Sequence, residues 1–128
     1  MTKNYKILTS YIKNISSIIS GTEDYIYLKD NIPKYSLGID INSIPLKNNM
    51  AEVNIKLTFS NRSEKDQKAY FEMTHSTVVR IDESAVNKDD LKEIFLSEVP
   101  TEMYPEIEKK FFEIVKSIGY PDIKLEKR

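Results

Sequence analysis

The chain has no cysteine and a single histidine, His75, among its 128 residues. Without cysteine it can form no disulfide, thiolate nucleophile or cysteine-ligated zinc site. A lone histidine makes histidine-rich metal centres and Ser-His-Asp triads improbable, and His75 lies in a predicted strand, where an ordinary sheet residue is the better interpretation. These absences exclude many cysteine- and histidine-based enzyme mechanisms, and we expect a protein that holds neither a cofactor nor a metal ion.

Long apolar runs and an excess of charge of one sign are also missing. No run approaches the roughly 18 apolar residues of a membrane span, and the first residues lack the apolar core of a signal peptide. The 19 basic and 20 acidic residues leave a net charge of −1. We expect a cytoplasmic protein that neither inserts into membranes nor binds nucleic acid, folded as one domain over residues 1–128.

Strand patterns occupy most of the first two thirds of the chain. Residues 35–41 and 53–59 alternate apolar and polar side chains, and residues 69–81 combine aromatic, β-branched and charged side chains. Short polar turns join these three, which indicates an antiparallel meander. An earlier stretch, residues 7–20, is rich in β-branched residues but leaves neither side cleanly polar. Such a strand suits pairing with a second chain or covering on both faces.

The connection between the first and second strands, residues 21–34, mixes breakers with apolar residues. Gly21, Asp30 and Pro33 interrupt any regular pattern, yet tyrosine, leucine and isoleucine side chains lie among them. A connection of this length is usually functional or disordered, and this one is too apolar for disorder. We interpret it as a long loop with an apolar lining.

Residues 99–121 carry the clearest helical pattern in the chain. Apolar side chains recur at helical spacing at Ile107, Phe111, Ile114, Val115 and Ile118. Phe112 lies beside this stripe and widens it. The width predicts that the helix contacts two partners.

Prolines and a glycine set the predicted ends of this helix. Pro100 and Pro105 suit a first turn better than a helix interior, so we place the start at Thr101 or near Pro105. Gly119 provides a left-handed cap near Ile118. A shorter helix, capped by Asn87, precedes it. The fold class is therefore α+β: a four-stranded antiparallel sheet with a long crossover connection after strand 1, followed by a short and a long helix packed on one face.

These segments, taken in order, resemble the SecB family of protein-export chaperones over nearly the whole chain. The matching segments are YIKNIS, LKDNIP before YSLGIDI, AEVNIKLTF, AYFEMTHSTVVRI and VPTEMYPEIEKKFFEIVKSIGYP. The last is the most specific, because family members open the long helix with proline, an aromatic residue and a second proline, and close it with glycine, an aromatic residue and proline. In this chain those positions are Pro100, Tyr104, Pro105, Gly119, Tyr120 and Pro121.

The resemblance implies a homotetramer built as a dimer of dimers. First strands would pair between subunits to give eight-stranded sheets, and two such dimers would stack through their long helices. The residues that this places at oligomer interfaces are Tyr11, Ile15, Phe111, Phe112 and Val115.

The resemblance also implies a holdase that keeps unfolded secretory preproteins from folding and delivers them to the SecA translocation motor. Its client-binding residues would be Tyr25, Tyr27, Leu28, Ile32, Met103 and Tyr104, and its motor contacts Glu72 and Asn14. Three departures bear on these roles. The sequence ends at Arg128, before the family's second helix and acidic tail; Ser76 and Thr77 replace paired glycines; and Asn14 stands where aspartate is common.

Two alternatives remain open from the residues. One is a SecB-like chaperone dedicated to a particular partner, such as the antitoxin of a toxin-antitoxin pair, which the missing tail favours slightly. The other is a small-molecule-binding or enzymatic α+β domain with residues 21–34 as a lid, although no nucleophile motif, phosphate loop or metal set is recognisable.

Overall fold

A computed structural model describes residues 5–61, 69–82 and 87–121 of the chain. Most of the predicted turn after Asn61 lies outside the described residues. The charged C-terminal residues 122–128 lie wholly outside them. The strands are β1 (Tyr5–Ile19), β2 (Tyr35–Pro45), β3 (Met50–Asn61) and β4 (Ala69–Ile81). The α-helices are α1 (Thr22–Asp30), α2 (Lys88–Glu93) and α3 (Val99–Ser117), with a 3-10 turn at Ile32–Lys34 and a π-helical turn at Ile94–Glu98.

The four strands form one antiparallel sheet in the order β1-β4-β3-β2. Strands β2, β3 and β4 are the predicted meander, and β1 pairs with β4 at the far edge. The chain between β1 and β2 therefore crosses from one edge of the sheet to the other. The predicted α+β class and the long crossover connection are confirmed.

Strand β1 contains two irregularities, which explain its imperfect alternation. The pairing with β4 shifts register between Ile7 and Thr9 and again between Ile12 and Asn14. Each shift inserts one extra residue, Leu8 or Lys13, and so exchanges the side-chain positions on the two faces. A period-2 pattern read across such bulges mixes polar and apolar residues on both sides.

The prediction of an irregular loop over residues 21–34 was wrong, because most of that connection is helical. Helix α1 contains neither glycine nor proline, and the breakers lie at its borders, at Gly21 and after Asp30. Glu23 and Asp24 in the first turn and Lys29 in the last complement the helix dipole. The apolar residues form no stripe in α1, and so the helical period was not visible.

Helix α3 begins at Val99, two residues before the first of the two predicted starts, Thr101, and well before the second, near Pro105. Helix α2, the π-helical turn and α3 follow one another without a break, so the helical path begins at Lys88. Pro100 lies in the first turn of α3, whereas Pro105 lies inside the helix. The capping box between Asn87 and Asp90 confirms the predicted cap of α2.

The end of α3 was predicted correctly. Gly119 has a positive φ of 96°. Its N–H donates to the Lys116 carbonyl at 3.2 Å, and the Tyr120 N–H donates to the Val115 carbonyl at 3.0 Å. These two bonds form a Schellman motif, which needs a residue that tolerates the left-handed region.

Helix α3 covers one face of the sheet through an aromatic cluster. The Phe111 ring lies 5.5 Å from that of Phe71 and 6.4 Å from that of Phe59, and Tyr120 packs edge-on to Phe71 at 6.1 Å. Each fully buried ring contributes about 1.5–3 kcal/mol relative to an exposed one. This cluster fixes α3 on the sheet and leaves the opposite face without a helix among the described residues.

Candidate functional site

The sheet has a covered face and an open face, which we define by residues of β3 and β4. The covered face carries Ile55, Leu57 and Phe59 of β3, whose register partners on β4 are His75, Met73 and Phe71. The open face carries the residues between them, with Glu52, Asn54 and Lys56 on β3 and Glu72, Thr74 and Ser76 on β4. The buried residues of α3 belong to the same core cluster as the covered face.

A buried carboxylate lies on the open face, near the start of β3. Glu52 is 8% exposed, and its carboxylate accepts hydrogen bonds from three strands. Ser76 Oγ of β4 donates to Oε1 at 2.7 Å, and Tyr11 Oη of β1 donates to the same oxygen at 3.1 Å. Lys13 Nζ lies 3.3 Å from Oε2, and Asn54 Nδ2 donates to Oε2 at 3.4 Å. We call these five residues the Glu52 network.

The network favours the ionised form of Glu52. The hydrogen bond from Ser76 lowers the pKa of Glu52 most, and the bonds from Lys13, Tyr11 and Asn54 lower it further, against an opposing effect of burial. A carboxylate that accepts several donors is a stable buried anion. The side chain of Lys13, the bulged residue of β1, reaches this anion, so the network also holds the edge strand to the sheet.

Sequence reasoning did not find this network. The alternation of β3 places Glu52 and Asn54 on one side, but it does not show which residues of β1 face them. Their donors, Tyr11 and Lys13, are correctly positioned only because of the bulge in β1. A register that includes the bulge would have been needed to find the site.

The two predicted motor-contact residues lie together on the open face. Asn14 pairs with Thr74, and Glu72 pairs with Ser16, so the two side chains occupy neighbouring positions of β1 and β4. Glu72 makes an ion pair with Lys56 at 3.7 Å, in which both side chains stay partly exposed. The motor-contact role remains a prediction.

The predicted client-binding residues form two groups. Tyr25, Tyr27, Leu28 and Ile32 lie on α1 and the 3-10 turn, whereas Met103 and Tyr104 lie near the start of α3. Tyr25 Oη donates to the Gly119 carbonyl at 2.7 Å. Because Gly119 follows Tyr104 by fifteen residues, the Tyr25 hydroxyl and the backbone of Tyr104 lie about 22 Å apart along the direction of α3.

Burial differs among the same six residues. Leu28 has no exposed surface and Met103 is 6% exposed, so both side chains belong to the core of this chain. Tyr25, Tyr27, Ile32 and Tyr104 are half-buried. Tyr27 Oη accepts a hydrogen bond from Asn61 Nδ2 at 2.8 Å. Burial raises the pKa of Tyr104, and the nearby Glu108 raises it further.

The predicted interface residues also separate into two classes. Phe111 and Val115 are buried inside the chain, at 0% and 3% exposure, so their side chains are not available to a second subunit and that part of the prediction needs correction. The wide apolar stripe of α3 is used mostly within the chain, with Phe112 half-buried beside it. Tyr11 and Ile15 on β1 are 45% and 46% exposed.

The structure exposes further apolar side chains that sequence reasoning did not select. Ile39 on the edge strand β2 is 47% exposed, and Leu96 in the π-helical turn is 43% exposed. The clean alternation of β2 made Ile39 look like a core residue. Ile39 lies on the edge strand β2, where Tyr35 of the same face is buried, so the alternation does not show which of these positions is covered.

No three or more histidine, aspartate or glutamate side chains within residues 5–61, 69–82 and 87–121 are arranged to hold a metal ion. Over the same part of the chain, no helix combines the length and apolar character that crossing a bilayer requires.

Comparison with known proteins identifies relatives over the full length. The family model described as preprotein translocase subunit SecB matches residues 1–127. A provisionally assigned protein-export protein SecB of Pelagibacter ubique (strain HTCC1062) is 44% identical over 128 residues, which are 100% of this chain and 91% of the relative. The protein-export protein SecB of Mesorhizobium japonicum is 24% identical over 122 residues, covering 94% and 71% of the two chains.

A solved structure shares the fold. The Mycobacterium tuberculosis Rv1957 SecB-like chaperone, in complex with a ChAD peptide from the Rv1956 HigA1 antitoxin, superposes with a TM-score of 0.67 at 10% identity. The match covers 98% of this chain and 91% of that chain. At this identity the likeness establishes a common fold and no more.

Proposed function

The chain belongs to the SecB family of chaperones, and on that basis we propose that it is a cytoplasmic holdase that binds unfolded secretory preproteins and delivers them to the SecA motor. The observation that carries the proposal is the family match over residues 1–127, together with a 44% identical relative described as a protein-export protein. Such a function requires no catalytic group, because binding the unfolded state slows folding by mass action.

Clients bind at the half-buried aromatic and apolar side chains of α1 and α3. Tyr25, Tyr27, Ile32 and Tyr104 offer large contact areas, and a tyrosine hydroxyl tolerates solvent when no client is present. Leu28 and Met103 support these side chains from the core beneath. The spacing of about 22 Å between the Tyr25 hydroxyl and Tyr104 suits an extended segment of several residues, since a strand rises about 3.3 Å per residue.

A refolding assay tests the client-binding proposal. We expect the protein to slow the refolding of an unfolded secretory preprotein in proportion to its concentration. Tyr25→Ala should weaken this effect several-fold, whereas Tyr25→Phe, which keeps the ring but loses the hydrogen bond to Gly119, should retain it. An unchanged effect in Tyr25→Ala, at equal stability of the two variants, would contradict the placement of the client at Tyr25.

The chain assembles as a tetramer in which β1 pairs with β1 of a second copy. Support comes from the length of β1, fifteen residues with one edge unpaired among the described residues, and from its exposed Tyr11 and Ile15. A long edge strand with exposed apolar side chains can serve as a template for pairing with another chain. We expect Ile15→Asp to lower the native mass, while Ile39→Asp, on the other edge strand and 47% exposed, leaves it unchanged.

The motor binds the open face near Glu72 and Asn14. The support is their common position on β1 and β4 and the absence of a described helix on that face. Glu72→Lys should weaken binding to SecA. Glu113→Lys, an equal change of charge on the exposed side of α3, is the matched control. Equal losses in both variants would indicate a general effect of net charge rather than a contact at Glu72.

A second candidate function is that of a chaperone dedicated to one partner, such as an antitoxin. The Rv1957 chaperone is bound to an antitoxin peptide, but its likeness to this chain extends only to the fold. The two candidates differ in client range. Binding of several unrelated unfolded preproteins supports the export function, whereas binding of a single partner supports the dedicated one.

A further inference from the structure

The only histidine of the chain is buried between the sheet and α3. His75 has no exposed surface and lies on the covered face of β4, between Ile12 of β1 and Ile55 of β3. Neither of its ring nitrogens has a hydrogen-bond partner among the described residues, and the same is true of Thr77 Oγ1, two residues further along the strand. The interface under α3 therefore encloses polar atoms without partners.

A neutral imidazole in this position is costly, and a charged one is more so. Burial of an unpaired polar group costs free energy, and burial of an unpaired charge costs considerably more. The charged side chains that act on His75 are Lys110 and Glu106 of α3, which pair with each other at 3.4 Å, whereas its neighbours on β1 and β3 are isoleucines. Burial lowers the pKa of His75 most; Lys110 lowers it further, and Glu106 opposes them.

We propose that His75 makes the packing of α3 against the sheet sensitive to acid, so that protonation of this one side chain weakens the helix-sheet interface at mildly acidic pH. The proposal rests on the enclosed position of the ring and its lack of partners. It is independent of the chaperone assignment, because it concerns the stability of the fold rather than its partners.

The direction of the effect follows from linkage. In the unfolded chain His75 takes up a proton near its ordinary pKa of about 6.5. In the folded chain the pKa of His75 is lower. Between the folded pKa and pH 6.5, the unfolded state therefore binds more protons than the folded state. Stability is therefore full above pH 6.5 and falls as the pH drops toward the folded pKa. One proton raises the unfolding equilibrium constant by at most about tenfold per pH unit.

Because the chain has one histidine, the test is direct. The folded-state pKa can be followed by the proton resonance of the imidazole C2–H, which arises from His75 alone. The second measurement is urea unfolding at several pH values between 5.0 and 7.5 for the wild type and for His75→Leu and His75→Gln. Thr77→Val is the matched control, since it removes the neighbouring unpartnered hydroxyl without removing a titratable group.

We expect a folded-state pKa below 6.5 and a loss of stability below pH 6.5 in the wild type and in Thr77→Val. In His75→Leu and His75→Gln this pH dependence should disappear down to about pH 5. An ordinary pKa for the folded C2–H resonance, or an unchanged pH dependence in both His75 variants, would overturn the proposal. If neither His75 variant folds, the pKa measured from the C2–H resonance of the wild-type protein decides whether the proposal holds.

Discussion

Glu52 on the open face and His75 on the covered face are both buried ionisable side chains of the same sheet, yet their surroundings are opposite. Glu52 accepts hydrogen bonds from Ser76, Tyr11, Lys13 and Asn54, whereas neither ring nitrogen of His75 finds a partner in the part of the chain that the structure describes. Glu52 is thus held in its charged form and His75 in its neutral form. Burial alone therefore does not decide the charge state of a side chain; it also depends on whether hydrogen-bonding groups that stabilise the charged form, donors for a carboxylate and acceptors for an imidazolium, surround it.

The two faces also hold the fold together by different means. The covered face depends on apolar packing against α3, which is insensitive to charge except at His75. The open face depends on hydrogen bonds that tie β1 to β3 and β4. We therefore expect substitutions on the covered face to cost the most free energy and substitutions in the Glu52 network to cost less but to depend on pH.

The largest expected effect is that of Phe111→Ala on the covered face. This ring has no exposed surface and contacts Phe59 and Phe71, so its loss should lower the free energy of unfolding by about 3–5 kcal/mol. Urea unfolding measures the change. Phe112→Ala, which removes the half-buried ring next to it, is the control and should cost clearly less. Equal costs would show that the aromatic cluster does not fix α3.

The next effect is that of Glu52→Gln on the open face. The amide keeps the shape but loses the charge, so the bonds from Ser76 and Lys13 weaken, and the free energy of unfolding should fall by about 1.5–3 kcal/mol at pH 7. Glu72→Gln, which breaks a partly exposed ion pair with Lys56, should change it by less than about 1 kcal/mol. If Glu52→Gln lowers the free energy of unfolding no more than Glu72→Gln does, the buried carboxylate stabilises the fold no more than the partly exposed one.

The Glu52 network and His75 should change the stability of the fold in two different pH intervals. The folded pKa of Glu52 is lowered, so its contribution is present above the unfolded value of about 4.5 and is lost as the pH falls through the folded value. Glu52→Gln should therefore flatten the stability profile below about pH 4.5, whereas His75→Leu should flatten it between about 6.5 and 5. If both variants flatten the profile in the same pH interval, the two intervals do not belong to Glu52 and His75 separately.

The smallest expected effect is that of Tyr11→Phe. It removes one neutral donor to Glu52 and keeps the ring, so the free energy of unfolding should fall by about 0.5–1.5 kcal/mol. In Glu52→Gln the same substitution should cost less, because the acceptor no longer carries a charge. A double-mutant cycle measured by urea unfolding gives the coupling, and a coupling of zero would exclude Tyr11 from the network.

The parts of the fold that follow from local patterns were predictable. Strand β4 was predicted with its observed bounds, and the Schellman motif at Gly119 followed from the position of a single glycine. Helix α1 was missed because only Leu28 of its apolar residues is buried, so no stripe marks the helical period. The start of α3 at Val99 was placed two or more residues too late, because Pro105 resembles a start signal but lies inside the helix.

The candidate site was less predictable, because it depends on register. The predicted positions Glu72 and Asn14 do fall on one face, but the donors of Glu52 are fixed by a bulge that no periodicity locates. The burial of Phe111 and Val115 could not be separated from an interface role by sequence, since both roles demand the same apolar stripe. Contacts within the chain decide between them.

The chaperone function is tested most directly by the native mass of the protein, measured by light scattering with and without a permanently unfolded secretory preprotein. We expect a tetramer whose mass increases by that of one client when a stable complex forms. A folded secretory protein of similar size serves as the control and should leave the mass unchanged. A monomer whose mass does not change with the unfolded preprotein would contradict both the assembly through β1 and the export-chaperone function.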